Sequence, residues 1–256
     1  QNGQTIKTPK TKTQIKIASN TAQHTDDYLD AIVITVTQEN QAQKGTLKIT
    51  TTGEKLVGAQ QNENNDYEFT YEQGEVEGAT YEIKAKENIY TQDNQGTILY
   101  RVDEVVQTIT TNVEGITHAD NLPIGKYYIQ QKRAGNGYTL NEEIKEFEVK
   151  YHNNKQIDKN EENWKKETQE TSITNYEESY NNERQKIQIE LTKKDEETKQ
   201  PIQGAIFAIY NKNNITNQKN NETIIQANTK IQTITSNEEG KIKFQNELPL
   251  GEYYIK

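Results

Sequence analysis

The chain has 256 residues, 27% charged and 30% hydrophobic, with 15 Tyr, no Cys, no Met and a formal net charge of −9. No run of about 18 apolar residues exists, so no membrane-inserting helix is predicted, and without Cys there is neither a disulfide framework nor a thiolate metal site. The acidic balance argues against a nucleic-acid partner, whose phosphates call for Lys and Arg.

The length suits one large or two ordinary domains. Disorder is disfavoured, because the polar excess comes with Tyr, Ile and Thr, which suit a half-buried pleated surface. Gln at position 1 and the lack of any Met predict an excerpt of a longer polypeptide.

Taken in chain order, the alternation of apolar and polar residues predicts strands at 14–17 (QIKI), 31–36 (AIVITV), 46–50 (TLKIT), 81–83 (YEI) and 147–149 (FEV). Residues 160–169 could make a short helix, with Trp164 as its only large apolar residue. Strands resume at 186–191 (KIQIEL) and 206–210 (IFAIY). The fold class is all-β.

An internal repeat organises these elements. Gly78-Ala79-Thr80-Tyr81-Glu82-Ile83, Gly115 and Leu122-Pro123-Ile124-Gly125-Lys126-Tyr127-Tyr128-Ile129 return as Gly204-Ala205-Ile206-Phe207-Ala208-Ile209, Gly240 and Leu248-Pro249-Leu250-Gly251-Glu252-Tyr253-Tyr254-Ile255. Gly78 to Gly204, Leu122 to Leu248 and Gly125 to Gly251 are each 126 residues apart. Leu-Pro-x-Gly predicts a tight turn into a one-sided strand. The Gly-Ala pair before an aromatic strand predicts close backbone approach at the strand's beginning. Leu122-Pro123-Ile124-Gly125 lacks the Thr of a sortase signal and is duplicated inside domains, so the turn reading holds.

These residues resemble the Cna B-type domain, the SpaA-like, transthyretin-like β-sandwich repeat of Gram-positive surface adhesins and pilins. The match is densest over 191–210 (LTKKDEETKQPIQGAIFAIY) and 122–138 (LPIGKYYIQQKRAGNGY). The resemblance implies tandem sandwiches, the last one truncated. Residues 1–43 would be C-terminal strands of a preceding β-domain. Residues 44–180 would be one repeat with an insertion near 58–76, and 181–256 a second, C-terminally incomplete. From Thr51 to Gly78 the first copy has 27 residues where Lys193 to Gly204 has 11. The 16 extra residues carry Tyr67, Phe69 and Tyr71 and read as an extra hairpin, with a ligand-binding loop as the alternative.

The resemblance also implies a self-formed isopeptide bond between a first-strand Lys and a last-strand Asn or Asp, assisted by a Glu. Such a bond needs a neutral buried amine and a carboxyl group kept protonated by burial. Lys193 matches the reactive Lys, and its strand phase with Ile187, Ile189 and Leu191 points it inward. Its Glu and Asn or Asp partners would lie beyond Lys256. In the first copy Thr51 stands at the Lys position and Gln131 at the Glu position. Asn175, in phase with Ile173, is the candidate acceptor. Thr and Gln can satisfy each other by hydrogen bonds, so no isopeptide is expected there. Lys48 is a substitute nucleophile only in principle, since its phase points outward.

His24, His118 and His152 have no metal-site spacing, and no phosphate loop, nucleophile elbow or zinc-protease motif occurs. Asp93-Asn94-Gln95-Gly96 reads as a hairpin turn and not as a calcium loop. The expectation is therefore a non-enzymatic segment without cofactor: a monomeric, extracellular stalk of a cell-wall-anchored adhesin or pilin-like protein, whose parent engages a host matrix protein. The rival readings are that the segment itself binds a collagen- or fibrinogen-type ligand, or that it is an accessory β-domain of a secreted carbohydrate-active enzyme.

Overall fold

A computed structural model describes residues 4–5, 41–93, 95–150, 173–187, 189–244 and 248–256. The strands expected at 14–17 and 31–36, the helix expected at 160–169, and His24 and His152 lie outside the described residues. Every regular element among the described residues is a strand.

A short pair, β1 (Gln4–Thr5) and β2 (Gln41–Ala42), precedes the first repeat. That repeat is built from β3 (Lys44–Gln61), β4 (Tyr67–Glu75), β5 (Thr80–Ala85), β6 (Ile89–Tyr90), β7 (Ile98–Tyr100), β8 (Val105–Thr110), β9 (Ile116–Leu122), β10 (Gly125–Arg133), β11 (Lys145–Val149) and β12 (Ile173–Asn182). One sheet runs β11-β10-β5-β8. The facing sheet runs β12-β3-β4, with β9 also on β3, and β6-β7 form a small hairpin.

Period-two patterning explains the packing. In β3 the inward positions are Leu47, Ile49 and Thr51, in β5 Tyr81, Ile83 and Ala85, and in β10 Tyr127, Ile129 and Gln131. The inner faces of the two sheets enclose one cluster that includes Leu47, Ile49, Tyr81, Ile83, Leu122, Tyr127, Ile129 and Tyr180. The inward series of β3 and β10 turn polar at the same end, at Thr51 and Gln131, beside Tyr81 of β5.

The second repeat contains β13 (Glu190–Thr192), β14 (Ile206–Asn211), β15 (Ile215–Thr216), β16 (Thr223–Ile225), β17 (Lys230–Thr235), β18 (Lys241–Lys243) and β19 (Tyr253–Ile255). Its sheets, β17-β14-β19 and β13-β18, repeat the plan of the first, and β15-β16 repeat the β6-β7 hairpin. The strand expected over 186–191 is shorter here and displaced, at Glu190–Thr192.

The repetition extends to single hydrogen bonds. Thr111 Oγ1 accepts from Ala79 N and donates to Val76 O, while Ser236 Oγ accepts from Ala205 N and donates to Ile202 O. Tyr127 OH donates to Pro123 O at 2.6 Å, and Tyr253 OH to Pro249 O at 2.8 Å. The tyrosine after each Leu-Pro-x-Gly turn thus staples the turn to its own strand.

One expectation changes in form. Gly78 and Gly204 both have φ +80° with nothing within 4 Å of an added Cβ, so left-handed backbone and not close approach requires glycine there. The 16-residue excess is a hairpin: β3 continues outward past the sandwich and β4 returns along it, from Gln61↔Tyr67 to Thr52↔Glu75.

Candidate functional site

Thr51, Gln131 and two residues not singled out from the sequence, Tyr81 and Asn182, meet at the polar end of the first core. Thr51 is fully buried, Gln131 is 2% exposed and Asn182 1%. Four strands deliver them, β3, β5, β10 and β12, drawn from both sheets.

The four side chains form a connected hydrogen-bond network. Gln131 Nε2 donates to Tyr81 OH (2.9 Å) and to Asn182 Oδ1 (3.0 Å). In return Asn182 Nδ2 donates to Gln131 Oε1 (2.8 Å) and to the Thr139 carbonyl (2.8 Å). Gln131 Oε1 also accepts from Asn141 N (2.7 Å). Tyr81 OH lies 2.8 Å from Thr51 Oγ1. Since the phenol oxygen already accepts from Gln131, its single proton is available to donate to Thr51. Burial pushes the Tyr81 hydroxyl above its ordinary value, with the bonds to Thr51 and Gln131 opposing. The Tyr180 ring packs 4.9 Å from Tyr81 and closes the apolar side.

The structure brings Thr51 and Gln131 together, bridged by Tyr81, and places Asn175 elsewhere. Asn175 is exposed, where its Oδ1 accepts from Thr46 Oγ1 at 2.6 Å. The inward phase of β12 runs through Tyr176, Tyr180 and Asn182, one residue out of step with Asn175. The spacing of Tyr176, Tyr180 and Asn182, all at even positions, is the one sequence signal that could have led to Asn182. Gly53, paired with Asn182, completes the fit: a Cβ there would meet Tyr138 Cε1 at 2.3 Å and Asn182 O at 2.9 Å. Lys48 points away from the core and pairs with Glu177 at 3.7 Å.

Lys193 takes the backbone position of Thr51. Its N–H donates to Gly240 O (2.7 Å) as that of Thr51 does to Gly115 O (2.8 Å), and its carbonyl accepts from Ile202 N as that of Thr51 does from Val76 N. Its side chain, expected inward, is exposed. The reason lies in what covers each site. Thr51 pairs with Tyr180 of β12 and hydrogen-bonds Tyr81 of β5 across the sandwich, whereas β13 pairs only with β18 among the described strands.

The network has no carboxyl group and no amine, so it holds neither the nucleophile nor the acid of an amide-forming step. What it can do is cross-brace. One reciprocal amide pair, one phenol and one hydroxyl tie the two sheets together with buried polar groups satisfied by one another. Among the described residues no three His, Cys, Asp or Glu side chains group as metal ligands, and His118 is exposed on β9. In the segment read as a turn, Asp93 accepts from Thr91 Oγ1 (2.5 Å) and Gln95 N (3.1 Å), which holds its carboxyl below the usual range.

A family model described as the SpaA prealbumin-like fold domain matches residues 69–163 and 187–256. The chain belongs to this family. Among solved structures, the chain is similar to the Bacillus anthracis TIE protein, at 24% identity and TM-score 0.48 over 85% of this chain and 28% of that one. It is also similar to the group B streptococcus pilus 2b backbone protein, at 14% identity and TM-score 0.30 over 57% of this chain and 44% of that one. A third is the shaft pilin SpaA from Lactobacillus rhamnosus GG, at 17% identity and TM-score 0.32 over 78% and 81% of the two chains. This chain therefore spans less than half of the first two. No curated protein matches it. The first repeat of this SpaA-type chain carries an uncharged amide and hydroxyl network that includes Thr51 and Gln131, two of the positions singled out in the sequence.

Proposed function

We propose that this chain is a structural segment of a pilin-like or adhesin protein on the surface of a Gram-positive bacterium, anchored to peptidoglycan through its parent and holding a distal binding domain away from the wall. The observation that carries the reading is the network of Thr51, Tyr81, Gln131 and Asn182. It occupies the most buried polar position of the repeat and is built to hold sheets together. Tandem SpaA-type domains in one chain support the same reading. The segment works as a non-enzymatic monomer, with Lys193 as the amine available for a bond in the second repeat. The test is a binding screen of the 256-residue chain against collagen, fibrinogen and cell-wall glycans. A stalk gives only background, and saturable binding to any of them overturns the reading.

One observation favours a second reading, in which the segment itself takes a matrix ligand. The first repeat exposes Tyr90 (48%), Leu99 (45%), Val102 (54%) and Val105 (40%) around β6, β7 and β8, and such clusters often mark contact surfaces. If the screen finds a ligand, Leu99→Ser is expected to abolish binding; unchanged binding would place the ligand elsewhere.

A further inference from the structure

The β3–β4 hairpin does not project into solvent. Leu56, only 2% exposed, is buried in a cluster whose other members are all from the second repeat: Ile209, Ile215, Ile225, Ile231, Ile242, Phe244 and Leu248. Tyr67, Phe69 and Tyr71 of β4 pack against the same cluster. The first core contains none of these four hairpin residues.

Polar contacts fix the seating. Leu56 N donates to Gln218 Oε1 (2.7 Å) and Leu56 O accepts from Gln218 N (2.8 Å), so one glutamine grips both backbone groups of a β3 residue. Asn217 Nδ2 donates to Val57 O (2.9 Å). At the hairpin's tip Asp66 Oδ1 accepts from Thr233 N (2.9 Å) on β17. Lys219 pairs with Glu72 at 2.8 Å. At the other end Arg184, from the link between repeats, lies 3.8 Å over the Tyr71 ring.

The grip itself is repeated. Gln92 lies 126 residues before Gln218, in the loop between β6 and β7 that corresponds to the loop between β15 and β16. There Gln92 Oε1 accepts from Gln43 N (3.1 Å) and Gln92 Nε2 donates to Gln43 O (3.0 Å). Each repeat thus carries a glutamine that holds an extended backbone reaching it from upstream. In the first repeat that backbone is the residue just before β3, and in the second it is the hairpin of its neighbour.

We propose that the β3–β4 hairpin is the upstream partner of a strand-gripping groove that each repeat carries, and that by completing the second repeat's core it makes the two repeats one cooperative unit. The partner class of the groove is an extended backbone recognised through its main-chain N–H and C=O, joined in the second repeat by the apolar side chains of the hairpin. The brace stands whether or not the segment is a stalk.

The test is amide hydrogen exchange on the whole chain, with calorimetry alongside. In the wild-type chain the amides of Gln218 and Thr233 are expected to be protected, and both repeats to melt in a single transition. Leu56→Ser combined with Phe69→Ser is expected to remove protection from β14, β16 and β17 while β5 and β10 keep theirs, and to split the transition in two. The milder Gln218→Ala, which removes the acceptor of the Leu56 N–H, is expected to deprotect Leu56 without changing β5 or β10, and Gln92→Ala to loosen only 41–43. Unchanged protection in β14, β16 and β17 of the double variant would overturn the proposal. So would loss of protection in β5 and β10, which would make the hairpin part of the first core, or two separate transitions in the wild-type chain.

Discussion

Thr51 and Gln131 stand where, on the resemblance read from the sequence, an amine and a carboxyl group would be expected, and in this chain hydrogen bonds tie the sheets there instead. Each such bond contributes about 0.5–1.5 kcal/mol net, and the arrangement releases no ammonia when the chain folds. The intact mass of the folded protein is therefore expected to equal the sequence mass, and a mass lower by one ammonia would contradict the network. The same geometry predicts a gain of function: Thr51→Lys with Gln131→Glu would place an amine and an acid beside the Asn182 carboxamide. The double variant is expected to lose one ammonia as the introduced amine bonds to Asn182 Cγ, which mass spectrometry after boiling in denaturant would detect. Asn182→Ala in that background should prevent it. Thr51 and Gln131 were legible in the sequence because they fall at motif positions. Tyr81 and Asn182 were not, because their part depends on which phase of β5 and β12 faces inward and on how far β12 runs along β3.

Buried phenols set the alkaline limit. Burial raises the hydroxyls of Tyr81, Tyr127, Tyr180 and Tyr253, because a phenolate is poorly solvated inside the protein. The native state then keeps protons that the unfolded chain gives up above about pH 10. Their contribution is complete below that pH and declines as pH rises beyond it. The denaturation midpoint should fall across this range in step with delayed tyrosinate absorbance, and a midpoint unaffected by alkali would contradict the assignment.

The turn glycines distinguish two causes of the same substitution cost. Gly78 and Gly115 both have left-handed backbone, at φ +80° and +69°. Around Gly78 there is open space, so Gly78→Ala should cost only the conformational penalty of about 1–2 kcal/mol. At Gly115 a Cβ would also meet Thr51 O at 2.5 Å and Val76 N at 3.1 Å, so Gly115→Ala should cost more. Urea denaturation of the two variants makes the comparison, and equal costs would show that the backbone near Thr51 yields freely. At this scale much was legible: alternation located the inner faces of β3 and β5, and the duplicated Leu-Pro-x-Gly located the turns. The reach of β3 was not. Its buried phase runs through odd positions to Gly53 and resumes at Leu56, a slip that makes sense only once two cores are known to share the strand. The alternation of Tyr67, Phe69 and Tyr71 announced a strand with an apolar face, but the surface it covers lies more than a hundred residues further along the chain.

For the whole molecule, the junction concentrates on a few side chains. Arg184 is 9% exposed at its side chain, 3.5 Å from Glu54 and stacked over Tyr71. Arg184→Ala is expected to destabilise by about 1–2 kcal/mol, since a desolvated cation over an aromatic ring is lost. Leu56→Ala is expected to cost about 2–5 kcal/mol, the range for truncating a buried leucine. Chemical denaturation would check both, and a Leu56→Ala effect near zero would mean that the second core closes without the hairpin. Parallel pairing adds one further consequence. The repeat's first long strand and its last, β3 and β12, lie side by side in the same direction, from Ile173↔Lys44 to Asn182↔Gly53. Tension along the chain draws the start of β3 and the end of β12 in opposite senses along a common line. The ladder between them is then loaded in shear, so its bonds must slide together instead of peeling one at a time.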